Sequence, residues 1–427
     1  MPAAAARDIS PRFYTRAVKV LLVGGGGREH ALAWALSQSA SLSELHAAPG
    51  NPGIASLGHC HAVQAEDGEG MLALAQELAV GLVVVGPEAP LVAGLADSLR
   101  RAGIGSFGPG EAAARLEGSK AFAKDVMRAA GVATAESLPI ARPPCVLKAD
   151  GLAAGKGVFV CHDESELREG LDALRARGGR IVVEELLEGR EVSLLALTDG
   201  ERAIALPPAQ DSKRLEDGDR GPNTGGMGSY SPVPGLGPEQ VEALLEAVHR
   251  PVLQELAARG SRFSGVLYAG LMLTERGPKV LEFNCRFGDP ETQSILPRIE
   301  GDLLDALAAA ATGVLRGVSL PTSDRAAVTV VLAAPGYPET GDHGSPIAGV
   351  AEAAADGALV FHAGTAMRNG TLVTAGGRVL GVTARGQTLA EAREAAYGAA
   401  AHVSFSGARF RRDIAAAASA PRERVHG

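Results

Sequence analysis

Val18-Lys19-Val20-Leu21-Leu22-Val23 runs straight into Gly24-Gly25-Gly26-Gly27 and then into Arg28-Glu29-His30-Ala31-Leu32. A short apolar run closed by glycines, followed by an amphipathic segment from about Glu29 to Ser37, predicts a strand, a tight turn and a helix. Outward from this stretch the same order returns. Glu44–Ala48 reads as a second strand and ends at Pro49-Gly50-Asn51-Pro52-Gly53. A helix near Gly70–Ala79 leads to a strand over Leu82–Val85 and the turn Gly86-Pro87-Glu88. A further helix leads to Ile104–Phe107 and Gly108-Pro109-Gly110. Such alternation predicts a parallel sheet wrapped by helices. Sheets of this kind bind ligands at the carboxyl ends of the strands, where these glycine turns lie.

Four glycines between a strand and a helix let the backbone approach a phosphate and aim amide N–H groups at it. A dinucleotide fold is the obvious rival, but its G-x-G-x-x-G spacing fails. Counted from Gly24, the third glycine position is Glu29, and the second strand ends in Ala47-Ala48-Pro49 without an acid for a ribose hydroxyl. A single phosphate fits these residues better. A bare tight turn is the plainer alternative.

From about 115 to 325 the texture changes. Strand-like runs over Val146–Ala149, Gly157–Cys161, Ile181–Glu185 and Val192–Leu197 surround one helix and predict a small mixed lobe. A helix over Pro238–Arg259 precedes two β runs, Gly265–Thr274 and Lys279–Asn284. The last hundred residues carry short strands such as Ala327–Ala334 and Arg378–Thr383, with one helix near Leu389–Ala401.

Chemistry concentrates in three stretches of this middle region. In Val146–Val158, Lys148 sits in an apolar strand, where an unpaired ammonium is costly, so it should meet an anion. The glycine-rich loop that follows, with Lys156, can fold over that anion. It is not a Walker A loop, because the G-x-x-x-x-G-K-[ST] spacing is absent. A solvated strand-edge lysine is the bland reading, and a second lysine eight residues on weighs against it. Ile181–Leu187, with Glu191 beyond, leaves an apolar strand through the paired acids Glu184 and Glu185. That suits a nucleotide slot, with backbone near Glu184–Leu187 on an adenine edge and Glu191 on ribose hydroxyls, although such acid pairs also end ordinary solvated strands. In Val280–Glu291, strand period two puts Glu282 and Asn284 on one face and Phe283 in the core. Two oxygen ligands beside a nucleotide suit Mg²⁺, which shares phosphate oxygens. Arg286 then offers a fixed cation for a phosphate or acyl phosphate. Ordinary surface polarity is the competing reading there.

Composition bounds the rest. A formal charge of −8 argues against a general nucleic-acid binder, without excluding a local basic pocket. Aromatics are only 4% of the residues, so the cores must rest on Ala, Val and Leu. Cys60, Cys145, Cys161 and Cys285 are widely spaced and form no C-x-x-C pair, which fits reduced thiols in the cytoplasm. In His59-Cys60-His61 neighbouring side chains point to opposite faces, which disfavours a metal site. No apolar run approaches the roughly 20 residues of a membrane span.

Taken together, these stretches resemble the ATP-grasp superfamily, and within it the phosphoribosylamine–glycine ligase (glycinamide ribonucleotide synthetase) family. The likeness runs from about Val18 to Ile414. It rests on GGREHALAW (Gly26–Trp34), APGNPG (Ala48–Gly53), VGPEAPLVAGL (Val85–Leu95), LEGSKAFAKD (Leu116–Asp125) and LKADGLAAGKGV (Leu147–Val158). GPNTGGMGSYSP (Gly221–Pro232), LYAGLM (Leu267–Met272), LEFNCRFGDPETQ (Leu281–Gln293) and FHAGT (Phe361–Thr365) complete the set. All nine in this order are specific to the ligase family.

The resemblance implies a multidomain α/β and α+β enzyme. Residues 1–17 would be a disordered extension, 18–115 an N-terminal parallel α/β substrate domain, 116–325 the ATP-grasp lobes and 326–427 a C-terminal α+β domain. The small lobe would span about 134–200. ATP would be held by Lys120, Lys148, Gly155, Lys156, Gly157, Glu184, Glu185, Leu187 and Glu191, and Mg²⁺ or Mn²⁺ by Glu282 and Asn284. Gly26, Gly27, Asn51, Gly53 and Glu88 would face phosphoribosylamine. Asp211, Lys213, Asn223, Thr224, Gly225 and Met227 would shape the substrate side. Arg286, Asp289 and Lys148 would act on the reacting groups. Glycine and 5-phosphoribosylamine are the implied substrates, with no nucleic acid, membrane or obligate protein partner. Another carboxylate–amine ligase and a non-catalytic nucleotide-binding protein are the alternatives. The chain departs from the family pattern at Ser212, where His is usual, and at Gly25, where Asn or Ser is common. It is also shorter between Thr134 and Cys145 and between Leu174 and Ile181.

Overall fold

The computed structural model describes residues 17–152 and 157–419. The expected N-terminal extension, apart from Ala17, and the loop residues Gly155 and Lys156 lie outside the described residues.

The N-terminal sheet is parallel, with strand order β3-β2-β1-β4-β5. Its strands are β1 (Val18–Gly24), β2 (Leu42–Pro49), β3 (His59–Cys60), β4 (Leu82–Val85) and β5 (Gly105–Phe107). β1 lies between β2 and β4, and Val20, Leu21, Leu22 and Val23 are all fully buried. Burial on both faces explains why its sequence is an unbroken apolar run and not an alternating one. Because β2 and β4 flank β1 on opposite sides, the strand order reverses there. The turns after β1 and β4 therefore border one crevice, as the glycine stretches predict.

The middle of the chain forms two antiparallel sheets. The smaller, ordered β7-β6-β8, contains β6 (Cys145–Ala149), β7 (Val158–Cys161) and β8 (Ile181–Glu185). Helix Glu164–Arg177 covers it over a core of Cys145, Leu147, Cys161, Leu167 and Leu174. The larger, ordered β10-β9-β15-β16, contains β9 (Arg190–Thr198), β10 (Ala203–Ala205), β15 (Gly265–Thr274) and β16 (Gly277–Asn284). The run Val192–Leu197, expected in the small lobe, belongs to this larger sheet. It is buried along its whole length and needs the long antiparallel partner that β15 provides. The helix expected over Pro238–Arg259 is continuous, but it widens to a π turn over Leu245–His249 between Pro238–Leu244 and Arg250–Ala258. Pro251 explains the widening, since it has no N–H to continue the i→i−4 ladder.

The C-terminal sheet, β11-β14-β17-β22-β19, is antiparallel and borrows two strands from the middle of the chain. These are β11 (Gln210–Asp211) and β14 (Gly228–Ser231), which join β17 (Ala326–Ala333), β19 (Leu359–His362) and β22 (Arg378–Gly386). Between the borrowed strands lies a two-stranded ribbon of β12 (Arg214–Glu216) and β13 (Arg220–Asn223). Helix Leu389–Ala400 packs on β17 and β22. The sequence reading gave one helix here; the structure adds Val350–Ala355 and a small sheet of β18 (Asp342–Pro346), β20 (Thr365–Arg368) and β21 (Thr371–Gly376).

Candidate active site

A cleft of about 730 Å³ opens between the two central sheets and the N-terminal turns. Of the residues singled out from sequence, Glu88, Lys120, Lys148, Gly157, Glu184, Glu185, Leu187, Glu191, Asp211 and Lys213 line it. Asn223, Thr224, Gly225, Glu282, Asn284, Arg286 and Asp289 line it too. Stretches scattered over 200 residues of sequence thus meet in one cavity. Gly26, Gly27, Asn51, Gly53 and Met227 do not line it.

On the small-lobe side, strand β6 carries Lys148 and strand β8 carries Glu184, two residues apart in the antiparallel register, where Lys148 lies opposite Val182 and Glu184 opposite Val146. The Lys148 ammonium meets Glu184 Oε2 at 2.7 Å and donates to the Leu281 carbonyl at 2.9 Å. The anion that burial demanded is therefore a carboxylate of the protein itself. A second lysine, Lys124 on helix Lys120–Ala129, takes Glu184 Oε1 at 3.0 Å and Thr134 Oγ1 at 3.0 Å. Two ammoniums on one buried carboxylate leave this wall net positive toward the cavity. Glu185 pairs with Lys279 at 2.6 Å and accepts from the Glu136 N–H at 2.9 Å. Apolar side chains of Val146, Val160, Met127 and Leu281 line the same end, a shape suited to a flat base.

The opposite wall is the end of β16. Glu282 and Asn284 line the cleft as expected; Phe283 borders it too but is 3% exposed and packed in the core, and Leu281 also reaches the cleft beside a shift in register with β15. Burial works to raise the Glu282 carboxyl, but Lys213, Lys148, Lys120 and Arg286 outweigh it and hold the group ionised, below its ordinary value. One ionised carboxylate and one amide oxygen, both facing a cavity rich in cations for phosphate, fit a hard divalent ion that completes its shell with phosphate oxygens. Arg286 is fixed on several sides. Its Nε donates to Glu88 Oε2 at 3.2 Å, Nη1 to the Phe287 carbonyl at 3.2 Å and Nη2 to Asn284 Oδ1 at 3.2 Å, while Glu117 Oε1 lies 3.0 Å from Nη2. Glu117 also accepts from the Cys285 N–H at 2.8 Å.

Between these walls, Lys213 is bonded to Glu191 and lies 3.7 Å from Glu282. Burial alone would lower Lys213, yet Glu191, Asp211 and Glu282 keep it charged, well above its ordinary value. Asp211 is pushed up by burial and by Glu291, Glu191 and Glu282 nearby. Tyr268 and Ser193 both donate to Glu291 Oε1 at 2.9 Å, anchoring that carboxylate.

At the N-terminal end, the amide of Gly26, the residue that caps helix Gly27–Leu36, already has a protein anion. The Glu29 carboxylate folds back to accept from the Gly26 N–H at 2.7 Å and pairs with Arg28 Nε at 2.6 Å. Gly25 has no room for the family's usual side chain, since a Cβ there would lie 2.3 Å from the Gly50 carbonyl oxygen. Gly27 packs beside Asp289 and Ala363 at the cleft's border. Asn51 caps helix Pro52–Ala55: its Oδ1 accepts from the Ile54 N–H at 3.0 Å, and its Nδ2 donates to the Gly25 and His362 carbonyls at 2.9 and 2.8 Å. Gly53 lies against the His30 ring, and Met227 is fully buried.

Sequence reasoning missed Arg28, Glu117, Lys124, Glu291 and Arg378, all of which line the cleft. Arg378 comes from the C-terminal domain and reaches Asp289 Oδ2 at 2.9 Å. For Lys124 a signal existed, because it stands one helical turn from Lys120 and shares its face.

Sequence models of the Phosphoribosylglycinamide synthetase N domain, ATP-grasp (A) domain and C domain match residues 18–117, 118–292 and 327–417. The chain belongs to the phosphoribosylglycinamide synthetase family. Among relatives of this family, phosphoribosylamine–glycine ligase of Streptomyces coelicolor is 53% identical over 418 residues, 94% of this chain and 100% of that protein. The enzyme of Agrobacterium fabrum is 50% identical over 414 residues, 93% of this chain and 98% of the relative. The crystal structure of phosphoribosylamine–glycine ligase from Thermotoga maritima superposes with a TM-score of 0.80 at 36% identity, covering 93% of this chain and all of that one. The biotin carboxylase domain of Hydrogenobacter thermophilus 2-oxoglutarate carboxylase gives 0.69 at 18% identity, over 93% of this chain and 92% of that one, which shows a shared ATP-grasp fold alone.

Proposed function

We propose that this chain joins glycine to 5-phosphoribosylamine, forming glycinamide ribonucleotide, ADP and phosphate as a step of purine biosynthesis. The observation that carries the reading is the meeting of Lys120, Lys148, Glu282, Asn284 and Arg286 in one cavity. A carboxylate does not acylate an amine unaided, because oxide is a poor leaving group. Phosphoryl transfer from ATP to the glycine carboxylate forms glycyl phosphate and releases ADP. The amine of phosphoribosylamine then attacks the acyl carbon and phosphate leaves. Such chemistry asks the protein for positioning and charge neutralisation and needs no protein nucleophile.

The positions of the groups support the following roles. Lys148, Lys120 and Gly157, with Gly155 and Lys156 outside the described residues, would cradle the phosphates. Glu184 holds Lys148 in place, and Glu185, Leu187 and Glu191 would border the nucleoside. Glu282 and Asn284 would hold Mg²⁺, or Mn²⁺ in its place, which would neutralise phosphate charge during transfer. Arg286, clamped by Glu88 and Glu117, would steady the acyl phosphate, and Asp289 would face the amine substrate. Asp211, Lys213, Asn223, Thr224 and Gly225 would shape the glycine side, Met227 through its backbone. Gly26, Gly27, Asn51 and Gly53 would act by setting the turn that receives phosphoribosylamine, since Asn51 spends its side chain on the backbone. The four free cysteines suit a reducing, cytoplasmic compartment.

A coupled ADP-release assay tests the reading, with glycine and freshly made phosphoribosylamine each omitted in turn. Release that requires both is expected. Release that ignores glycine, or none with both present, would refute it.

A further inference from the structure

We propose that Tyr337 and Arg378 of the C-terminal domain are positioning residues for the ligation, acting through the turn Asn223-Thr224-Gly225; this rests on the activity proposed above. Three consecutive residues of that turn bond to three different parts of the molecule. Asn223 Nδ2 donates to the Val158 carbonyl of β7, in the small lobe, at 3.3 Å. Thr224 gives both its N–H, at 2.7 Å, and its hydroxyl, at 2.8 Å, to the Lys213 carbonyl. Gly225 is held on both sides by the C-terminal domain. Its N–H donates to the Tyr337 hydroxyl at 2.8 Å, and its carbonyl accepts from Arg378 Nη1.

The far end of the turn is tied to the same domain. The Met227 carbonyl accepts from the Val331 N–H at 3.0 Å, and β14 continues in antiparallel pairing with β17. Gly226 has φ +106°, and a Cβ there would lie 2.4 Å from Pro290 Cδ, so the turn cannot accept a side chain to stiffen it. Beside an internal bond from the Gly226 N–H to Thr224 Oγ1 at 3.0 Å, Tyr337 and Arg378 fix the position of its Gly225 peptide from outside. Arg378 links the turn to the reacting end as well, donating to the Asp289 carbonyl at 3.0 Å and pairing with its carboxylate.

Thr224 and Gly225 line the cleft, whereas Tyr337 does not. Docking of the C-terminal domain therefore fixes one wall of the substrate space and, through Asn223, touches the small lobe. A wall misplaced by a fraction of an ångström penalises alignment of the reacting groups, and the nucleotide slot, built from β6 and β8, is spared.

Kinetics of the full-length Tyr337→Phe variant test this, with MgADP affinity measured by calorimetry alongside. We expect the specificity constants for glycine and phosphoribosylamine to fall about tenfold, the effect of one lost hydrogen bond, with MgADP affinity within about twofold of wild type. Arg378→Lys keeps a charge for Asp289 but cannot span both carbonyls, and it should show the same split. Unchanged specificity constants for Tyr337→Phe on an active wild type would overturn this inference alone. Nucleotide affinity falling by the same factor as turnover would overturn it too, since it would mark a purely structural role. A wild-type chain that releases no ADP with these substrates would sink the activity, and this inference with it.

Discussion

The Lys148 ammonium lies 2.7 Å from the Glu184 carboxylate, and neither side chain is more than 7% exposed. Lys124 occupies the other oxygen of the same carboxylate at 3.0 Å. One buried acid thus holds two cations in register beneath the cavity, before any ligand arrives. The arrangement carries a net positive charge into a space where water competes poorly, which is the condition for gripping a polyphosphate.

Glu184→Gln should therefore damage the fold as well as the site. The amide leaves two buried ammoniums without a counter-charge, and breaking a buried pair in this way costs about 3–5 kcal/mol. Chemical denaturation of variant and wild type would measure it. A loss below about 1 kcal/mol would show that the triad is solvated and not a buried clamp.

Glu282→Gln should separate chemistry from stability. Glu282 is 35% exposed and its nearest ion-pair cation, Lys213, is 3.7 Å away, so the melting temperature should hardly move. Glycine-dependent ADP release should fall by about 100-fold or more, with a higher divalent-ion concentration needed for half-activation. Near-normal release at low Mg²⁺ would remove Glu282 from the proposed metal site.

Acid should weaken the union of the N- and C-terminal parts. His30 Nδ1 accepts the His362 N–H at 2.8 Å, so its ring must be neutral with the proton on Nε2. Burial, then the neighbouring His362, pushes His30 down to about 3, and burial pushes His362 down to about 4. Both ordinary values are 6.5. As pH falls below that value, the unfolded chain takes up protons that the folded chain refuses, so stability present at neutral pH is lost. Each histidine should remove about 2 kcal/mol between pH 7 and 5. Unfolding free energies of wild type and His30→Gln at these two pH values check this, since glutamine retains an acceptor and does not titrate. The drop should be about 2 kcal/mol smaller in the variant; equal drops would contradict the assignment.

The chemistry-bearing strands were readable because their signals are local. The polar residues of Leu281-Glu282-Phe283-Asn284 were enough to direct Glu282 and Asn284 to the cleft and the Phe283 ring to the core. A lysine inside an apolar strand was enough to demand an anion, although Glu184 lies 36 residues on and could not be chosen by periodicity. What escaped depends on pairing at a distance. Assignment of β9 to the larger sheet requires knowing β15, some 70 residues later. Arg378 reaches Asp289 only because β22 docks where it does. Asn51 could have been read better, since Asn before Pro is a helix-cap signal, and its side chain is in fact occupied by capping.

Oxygen transfer tests the central claim most directly. With glycine labelled by ¹⁸O in its carboxylate, activation through an acyl phosphate must leave one labelled oxygen in the phosphate released at each turnover. Mass spectrometry of that phosphate should find one ¹⁸O per molecule, appearing only when phosphoribosylamine is present to accept the acyl group. Unlabelled phosphate formed alongside glycinamide ribonucleotide would contradict the account.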